Sequence, residues 1–192
     1  TWSSTNWSPG GSFILSDGNL RASNANGTTH GTSKSTQVTS SGKWYWEVTY
    51  VDITTPYAGI WMQNTALSSV YVGRNASSYG IRTGAGTVAL WHNDALVRTI
   101  GPTAIPNDTI RFAYDADVGS LWIGRNETWL EGGNPAINAT PQVSGLVGAW
   151  QPAISALDGG KADTNFGHGG QSGLTEYSSA GGWFKYAPPA GF

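Results

Sequence analysis

This 192-residue chain is predicted to be all-β, folded as a two-sheet antiparallel β-sandwich. Three observations lead there. Helical periodicity is nearly absent, and the 27 glycines interrupt almost every window long enough to hold a helix. Short apolar or alternating runs recur between turn signals. Charged residues make up 11% of the chain, against roughly 25% in ordinary soluble domains, and Gly, Ser, Thr and Asn fill the gaps between the apolar runs.

Taken in order, "FILS", the turn "DGN" and "LRAS" read as an opening hairpin. The polar stretch "NANGTTHGTSKSTQVTSS" separates it from the strand "KWYWEVTYV". "YAGIWMQ", "SYGIR", "TVALWH" and "ALVRTI" follow as further strands. "TIRFAY", the turn "DADVGS", "LWIG", the turn "RNE" and "TWL" form a three-stranded meander. "WQPAISALDGGKADTNFG" supplies two late strands around "DGG", "HGGQSGLTEYSSAGG" is flexible in composition, and "WFKYAPPAGF" closes the chain. About a dozen strands with apolar inner faces imply two sheets packed face to face. The length suits a single domain over residues 1–192. Because Thr1 is not an initiator methionine, the chain is expected to be a segment of a longer polypeptide.

Net charge of −2 leaves no basic stripe to neutralise phosphates, so neither nucleic-acid binding nor polybasic membrane attachment is expected. No apolar run approaches the roughly 20 residues of a membrane helix. Without cysteine there is no disulfide, thiolate nucleophile or Cys-ligated metal. The N-x-S/T triplets at Asn6, Asn26, Asn75, Asn107, Asn126 and Asn138 follow from a composition rich in Asn, Ser and Thr, and a bacterial or viral source suits the chain.

No catalytic constellation is recognisable. A G-x-S-x-G elbow is missing, and "HGG" at His168–Gly170 lacks a nucleophile to serve. A sandwich glycosidase needs two carboxylates converging on one sugar, whereas Glu47 stands alone on its strand. Asp115 and Asp117 share a parity but sit at a turn, where Asp caps backbone. "DADVGSLWIGRNE" does not keep a calcium-loop register, so neither metal nor cofactor is expected. A polysaccharide-cleaving enzyme centred on Glu47 is the reading that a missed second acid would restore.

The segments "ILSDGNLRAS", "SSGKWYWEVTYV", "YAGIWM", "SYGIRTGAGTV", "DTIRFAYDADVGSLWIGRNETWL", "LVGAWQPAISALDGGKADTNFG" and "FKYAPPAGF" resemble, in order and spacing, the SPRY domain family, a concanavalin-like sandwich. The likeness is greatest to versions carried by bacteriophage tail-fibre and structural proteins. It departs from the pattern in the insertion "HGGQSGLTEYSSAGG" and in a "GRNE" hairpin turn. The resemblance implies a bent sandwich without enzymatic activity that binds partners through loops at one rim. Trp150 stands where the family places a rim tryptophan, and is either that contact or a covered edge residue. The loop after the second core strand, Gln63 to Asn75, offers Gln63, Tyr71, Arg74 and Asn75; Trp129, after a hairpin turn, is a further candidate.

In "KWYWEVTYV" alternation places Trp44, Trp46, Val48 and Tyr50 on the core face. Tyr45 is then the one ring of "GKWYWEVTY" expected to face outward, and Glu47 needs a partner if covered. Trp2, Trp7, Trp61, Trp91, Trp129, Trp150 and Trp183 lie nearer turn residues and are the rings available for recognition. The function expected is non-catalytic recognition by a phage virion protein, a tail fibre or adhesin at the virion or extracellular surface, of a host-surface glycan or protein. A decoration domain bound to another virion protein is the alternative, with oligomers arising through the parent protein.

Overall fold

The computed structural model describes residues 1–8, 12–25, 27–53, 56–67, 70–84, 87–168, 173–177 and 181–192, apart from the side chains of Asn6 and Trp7. Turn chemistry sets the strand boundaries. Asp17, Gly18 and Asn19 all take positive φ, the region Asn, Asp and Gly tolerate, and reverse the chain between β2 (Phe13–Ser16) and β3 (Arg21–Asn24). β1 (Trp2–Ser8) precedes them. After them come β4 (Gly31–Ser35), β5 (Lys43–Asp52), β6 (Tyr57–Met62), β7 (Ser78–Gly84), β8 (Thr87–His92) and β9 (Ala95–Pro102). The meander follows as β10 (Thr109–Asp115), β11 (Ser120–Arg125) and β12 (Thr128–Trp129), then two 3-10 turns, Leu130–Gly132 and Pro135–Ile137. β13 (Trp150–Ala156) and β14 (Lys161–Asn165) are the late strands, and β15 (Thr175–Tyr177) pairs with β16 (Gly182–Phe184).

Two seven-stranded antiparallel sheets result, ordered β1-β4-β13-β6-β7-β8-β9 and β12-β11-β10-β5-β14-β3-β2. The "DGG" turn therefore joins strands of different sheets: it is a crossing between layers and not a hairpin. Trp46, Val48 and Tyr50 of β5 face Ile60, Ile81, Leu90 and Ile154 of the other sheet in one continuous core. Trp46 stacks on its cross-strand partner Phe112 at 4.9 Å and 8°. Tyr50 spans the layers, its hydroxyl donating to the Ile81 carbonyl at 3.3 Å. Each such side chain contributes about 1.5–3 kcal/mol by leaving water. Trp44, the fourth residue of the expected core face, is half-buried against the same cluster.

Four strands escape a reading based on apolar alternation: β1, β4, β15 and β16. The miss is clearest at β4, "GTSKS", where every residue is buried yet all are polar or glycine. Its side chains satisfy backbone groups that lack a ladder partner. Thr32 donates to the Val70 carbonyl, Ser33 to Ser3 O at 3.1 Å and Ser35 to Gln37 O at 2.7 Å. Lys34 Nζ donates to the carbonyls of Met62, Gln63 and Thr65 at 3.0, 3.0 and 2.7 Å. Val72 N in turn donates to Ser155 Oγ at 3.1 Å. These contacts fasten the β6–β7 loop across the outer face of the first sheet. There Leu67, Val70, Tyr71 and Val72 cover Tyr57, Trp61 and Ala153. Gly80 makes this possible, since a Cβ there would stand 1.8 Å from the Val72 carbonyl oxygen.

The outer face of the second sheet is covered by the C-terminal segment. Phe184 and Phe192 pack with Tyr45, Ala113 and Trp122. Tyr45 does point away from the core, as alternation requires, but it is 9% exposed: the tail replaces solvent over it. Glu47 fixes the tail. Oε1 accepts from Tyr45 OH at 2.9 Å and Tyr186 N at 2.8 Å, and Oε2 accepts from Lys185 N at 2.9 Å and Asn165 Nδ2 at 3.2 Å. Burial and the adjacent Glu47 charge drive the Tyr45 hydroxyl far above the usual phenol range. Within "HGGQSGLTEYSSAGG", read as flexible, Thr175–Tyr177 forms β15; residues 169–172 and 178–180 lie outside the described residues.

Burial lowers Lys34 from 10.5 to about 8. Between about pH 8 and pH 10, before unfolded tyrosines ionise, the unfolded chain holds a proton the folded chain has released, so raising the pH stabilises the fold. Urea midpoints measured across this window are expected to rise in the native protein and stay flat in Lys34→Met. Glu47→Gln turns an amide N–H₂ toward the N–H groups it must accept. A loss of about 1–3 kcal/mol in urea unfolding is expected, with faster hydrogen exchange at Lys185 or Tyr186. Unchanged exchange would remove Glu47 from the docking of the tail.

Candidate functional site

The strand ends at Met62, Ser78, Lys43, Asp115 and Trp150 lie together at one end of the sandwich, as the pairings Trp150↔Met62, Trp61↔Ser78 and Asp115↔Lys43 require. Four connections are knitted there by backbone hydrogen bonds. Thr39 exchanges bonds with Trp150, Gln63 N donates to Ala149 O at 2.9 Å, and Leu146 N donates to Gly119 O at 3.0 Å. Ala116 N donates to Gly42 O at 2.9 Å. Asp115 and Asp117 serve this lattice as turn caps. Asp115 Oδ1 accepts from Asp117 N at 3.1 Å, and Asp117 Oδ1 from Gly42 N at 2.9 Å.

Two valines are held outward on this rim. Val147 is 76% exposed and Val118 50%. Val147 rides on a loop whose Gly145 and Gly148 take φ of 74° and 84°, a conformation that favours glycine. Beneath it Trp150 is 3% exposed, with its Nε1 donating to Val147 O at 3.2 Å. Half-buried rings line the same end. Tyr79 stacks on His92 at 3.9 Å and lies 6.0 Å from Trp150, and Trp44 Nε1 donates to Ser41 O at 2.8 Å. The rim is thus an apolar edge on hydrogen-bonded loops, with an aromatic layer under it.

The six residues expected to bind ligand do not share one surface. Trp150 is a support beneath the rim, its ring covered. Gln63 belongs to the rim through its backbone, which bonds Ala149 and Lys34. Asn75 shapes the β6–β7 loop, its Oδ1 accepting from Ser77 N at 3.1 Å and from Ser78 Oγ at 3.0 Å. Tyr71 is 9% exposed and its hydroxyl donates a hydrogen bond to the Asp94 carboxylate, which also pairs with Arg74 at 3.1 Å. Burial, ahead of that carboxylate, raises Tyr71 to about 12. Trp129 lies on the other sheet, under the Arg111 guanidinium at 4.4 Å. Of the tryptophans nearer turns, Trp2 and Trp61 are also fully buried and Trp183 is 40% exposed, while the Trp7 side chain lies outside the described residues. Sequence reasoning passed over Val118 and Val147. Their signal was aliphatic residues set among turn glycines, in "DVGS" and "GLVG".

An open cleft of about 570 Å³ lies over the outer face of β3, β14 and β5 and includes Asp17, Arg21, Glu47 and Asp163. Its carboxylates are committed to structural partners. Asp163 holds Arg21 through two bonds of 2.5 and 2.7 Å, Asp17 reaches the same Arg21 at 3.2 Å, and Glu47 carries its four donors. Among the described residues of this cleft each carboxylate has a structural partner, so the Glu47-centred glycosidase reading gains no support from it.

Among solved structures, the chain is similar to the SPRY domain of human HERC1, with 14% identity over 85% of this chain and 96% of that one, at a TM-score of 0.62. It is also similar to the TRIM65 PSpry domain, with 18% identity over 88% of this chain and 91% of that one, at a TM-score of 0.66. The fold is therefore that of SPRY domains. No protein-family model matches the chain, and no curated protein matches it in sequence.

Proposed function

We propose that this chain is a non-catalytic recognition domain that holds a partner on the rim above Trp150. The observation that carries the reading is the pair of exposed valines, Val118 and Val147, fixed on hydrogen-bonded loops. An aliphatic pair held outward without a covering segment is suited to the desolvated centre of an interface. Similarity to SPRY domains, which act as protein-interaction modules, supports a polypeptide partner and a non-enzymatic role. Carriage on a phage virion protein, a tail fibre or adhesin at the particle surface that meets a host-surface protein or glycan, is part of the same proposal. Its support is the low charge, the Gly-, Ser- and Asn-rich composition and the resemblance of the ordered segments to phage versions of the fold. Affinity would come from apolar burial and neutral hydrogen bonds, so it should depend little on salt.

Val147→Asp combined with Val118→Asp changes two exposed positions and is expected to alter stability by no more than about 0.5 kcal/mol per site. Binding to host cells or arrayed host-surface ligands is expected to weaken at least about tenfold, the equivalent of about 1.4 kcal/mol. Native protein that binds neither cells nor arrays would sink the host-recognition reading, and binding to purified virion proteins instead would favour the decoration role.

A further inference from the structure

At the other end of β6 from the rim, on the outer face of the first sheet, Tyr57 and Tyr71 stack at 4.5 Å and 22°. Each ring carries a guanidinium: Arg74 at 5.6 Å from the centre of Tyr71, and Arg82, the cross-strand partner of Tyr57, at 5.8 Å from Tyr57. His30 meets both rings edge-on, at 5.5 and 5.4 Å. Arg74 already has its carboxylate, Asp94 from the β8–β9 turn. Arg82 has none among the described residues, and the buried Nδ1 of His30 has no partner. The cluster holds two guanidinium groups against one carboxylate, on a chain whose net charge is −2. Its surplus positive charge is felt at His30, which burial first and then Arg74 and Arg82 lower to about 4.

We propose that Arg82, supported by Tyr57 and His30, is an anchoring subsite for a carboxylate side chain of a partner polypeptide, on a surface separate from the rim. A single surplus charge is neutralised by one monoanion, whereas a phosphate dianion would crowd its second charge against Asp94. Guanidinium and carboxylate match as a two-bond fork, the geometry the chain itself uses between Arg21 and Asp163. A uronic acid would supply the same anion, but a sugar ring needs an open aromatic face to stack on. Tyr57 and Tyr71 are 5% and 9% exposed, with their faces occupied by each other and by the two arginines. The occupant is therefore an aspartate or glutamate side chain of a polypeptide. This subsite stands independently of the rim, so either can fail without the other.

The test is an amide and side-chain NMR titration of the whole chain at neutral pH, with ionic strength held constant by sodium chloride. The probes are N-acetyl-aspartic acid amide, glucuronate and inorganic phosphate. Saturable shifts confined to His30, Tyr57, Tyr71 and Arg82 are expected with the blocked aspartate, and weaker ones with the other two. Arg82→Gln is expected to weaken the response at least about tenfold and Arg82→Lys to keep part of it, while Val147→Asp leaves it unchanged. Absence of a saturable response in the native protein would overturn the proposal, as would tighter binding of phosphate or glucuronate. An undiminished response in folded Arg82→Gln would overturn it too.

Discussion

The Glu47 carboxylate is the contact on which the second sheet depends. A central strand that presents Trp44, Trp46 and Tyr50 to one side and Tyr45 to the other cannot leave both faces in water without exposing aromatic surface. The inner face is solved by the opposite sheet. The outer face is solved by the C-terminal segment, which beyond β16 is irregular and has no ladder to satisfy its own N–H groups. Glu47 supplies that satisfaction, because an ionised carboxylate is acceptor-only and can take several donors at once. Two of its four donors are consecutive backbone N–H groups, of Lys185 and Tyr186, so one side chain sets both the position and the direction of the tail.

The first sheet meets the same problem with the opposite charge. Its covering segment, the β6–β7 loop, presents backbone carbonyls toward the sheet, and Lys34 answers with the three donors of an ammonium group. In each sheet a charged side chain thus points outward and is buried by the chain returning over it, the Glu47 carboxylate for N–H groups and the Lys34 ammonium for carbonyls. With the central strands of both broad faces covered in this way, the strand ends and the seams of the covers remain open to a partner, beside the cleft over β3 and β14. The valine rim lies at such an end, and the Arg82 cluster lies where the β6–β7 loop meets Tyr57.

Much of the architecture was legible in the residues themselves. The hairpin through Asp17-Gly18-Asn19, the meander of β10 to β12 and the alternation of β5 all follow from turn chemistry and two-residue periodicity, which are local. β4 was not legible, because "GTSKS" reads as loop until the backbone groups that need its hydroxyls and ammonium are known. The candidate site was legible in part. The position of Trp150 pointed to the end of the sandwich where the exposed valines lie, but its size concealed that the ring supports that surface from below and that the smaller Val147 is the residue presented.

By itself, the order of residues determined the class of fold, most strand boundaries and which side of β5 meets the core, since each is decided by a residue and its near neighbours. It could not determine which outward-facing groups meet water. Tyr45, Glu47 and Lys34 all point away from the inner core and are all buried, because segments far along the chain return over them. Exposure depends on such long-range returns, and so does the division of the tryptophans between support and surface. That is why the candidate site lies where distant loops meet and not on the aromatic strand that dominates the sequence.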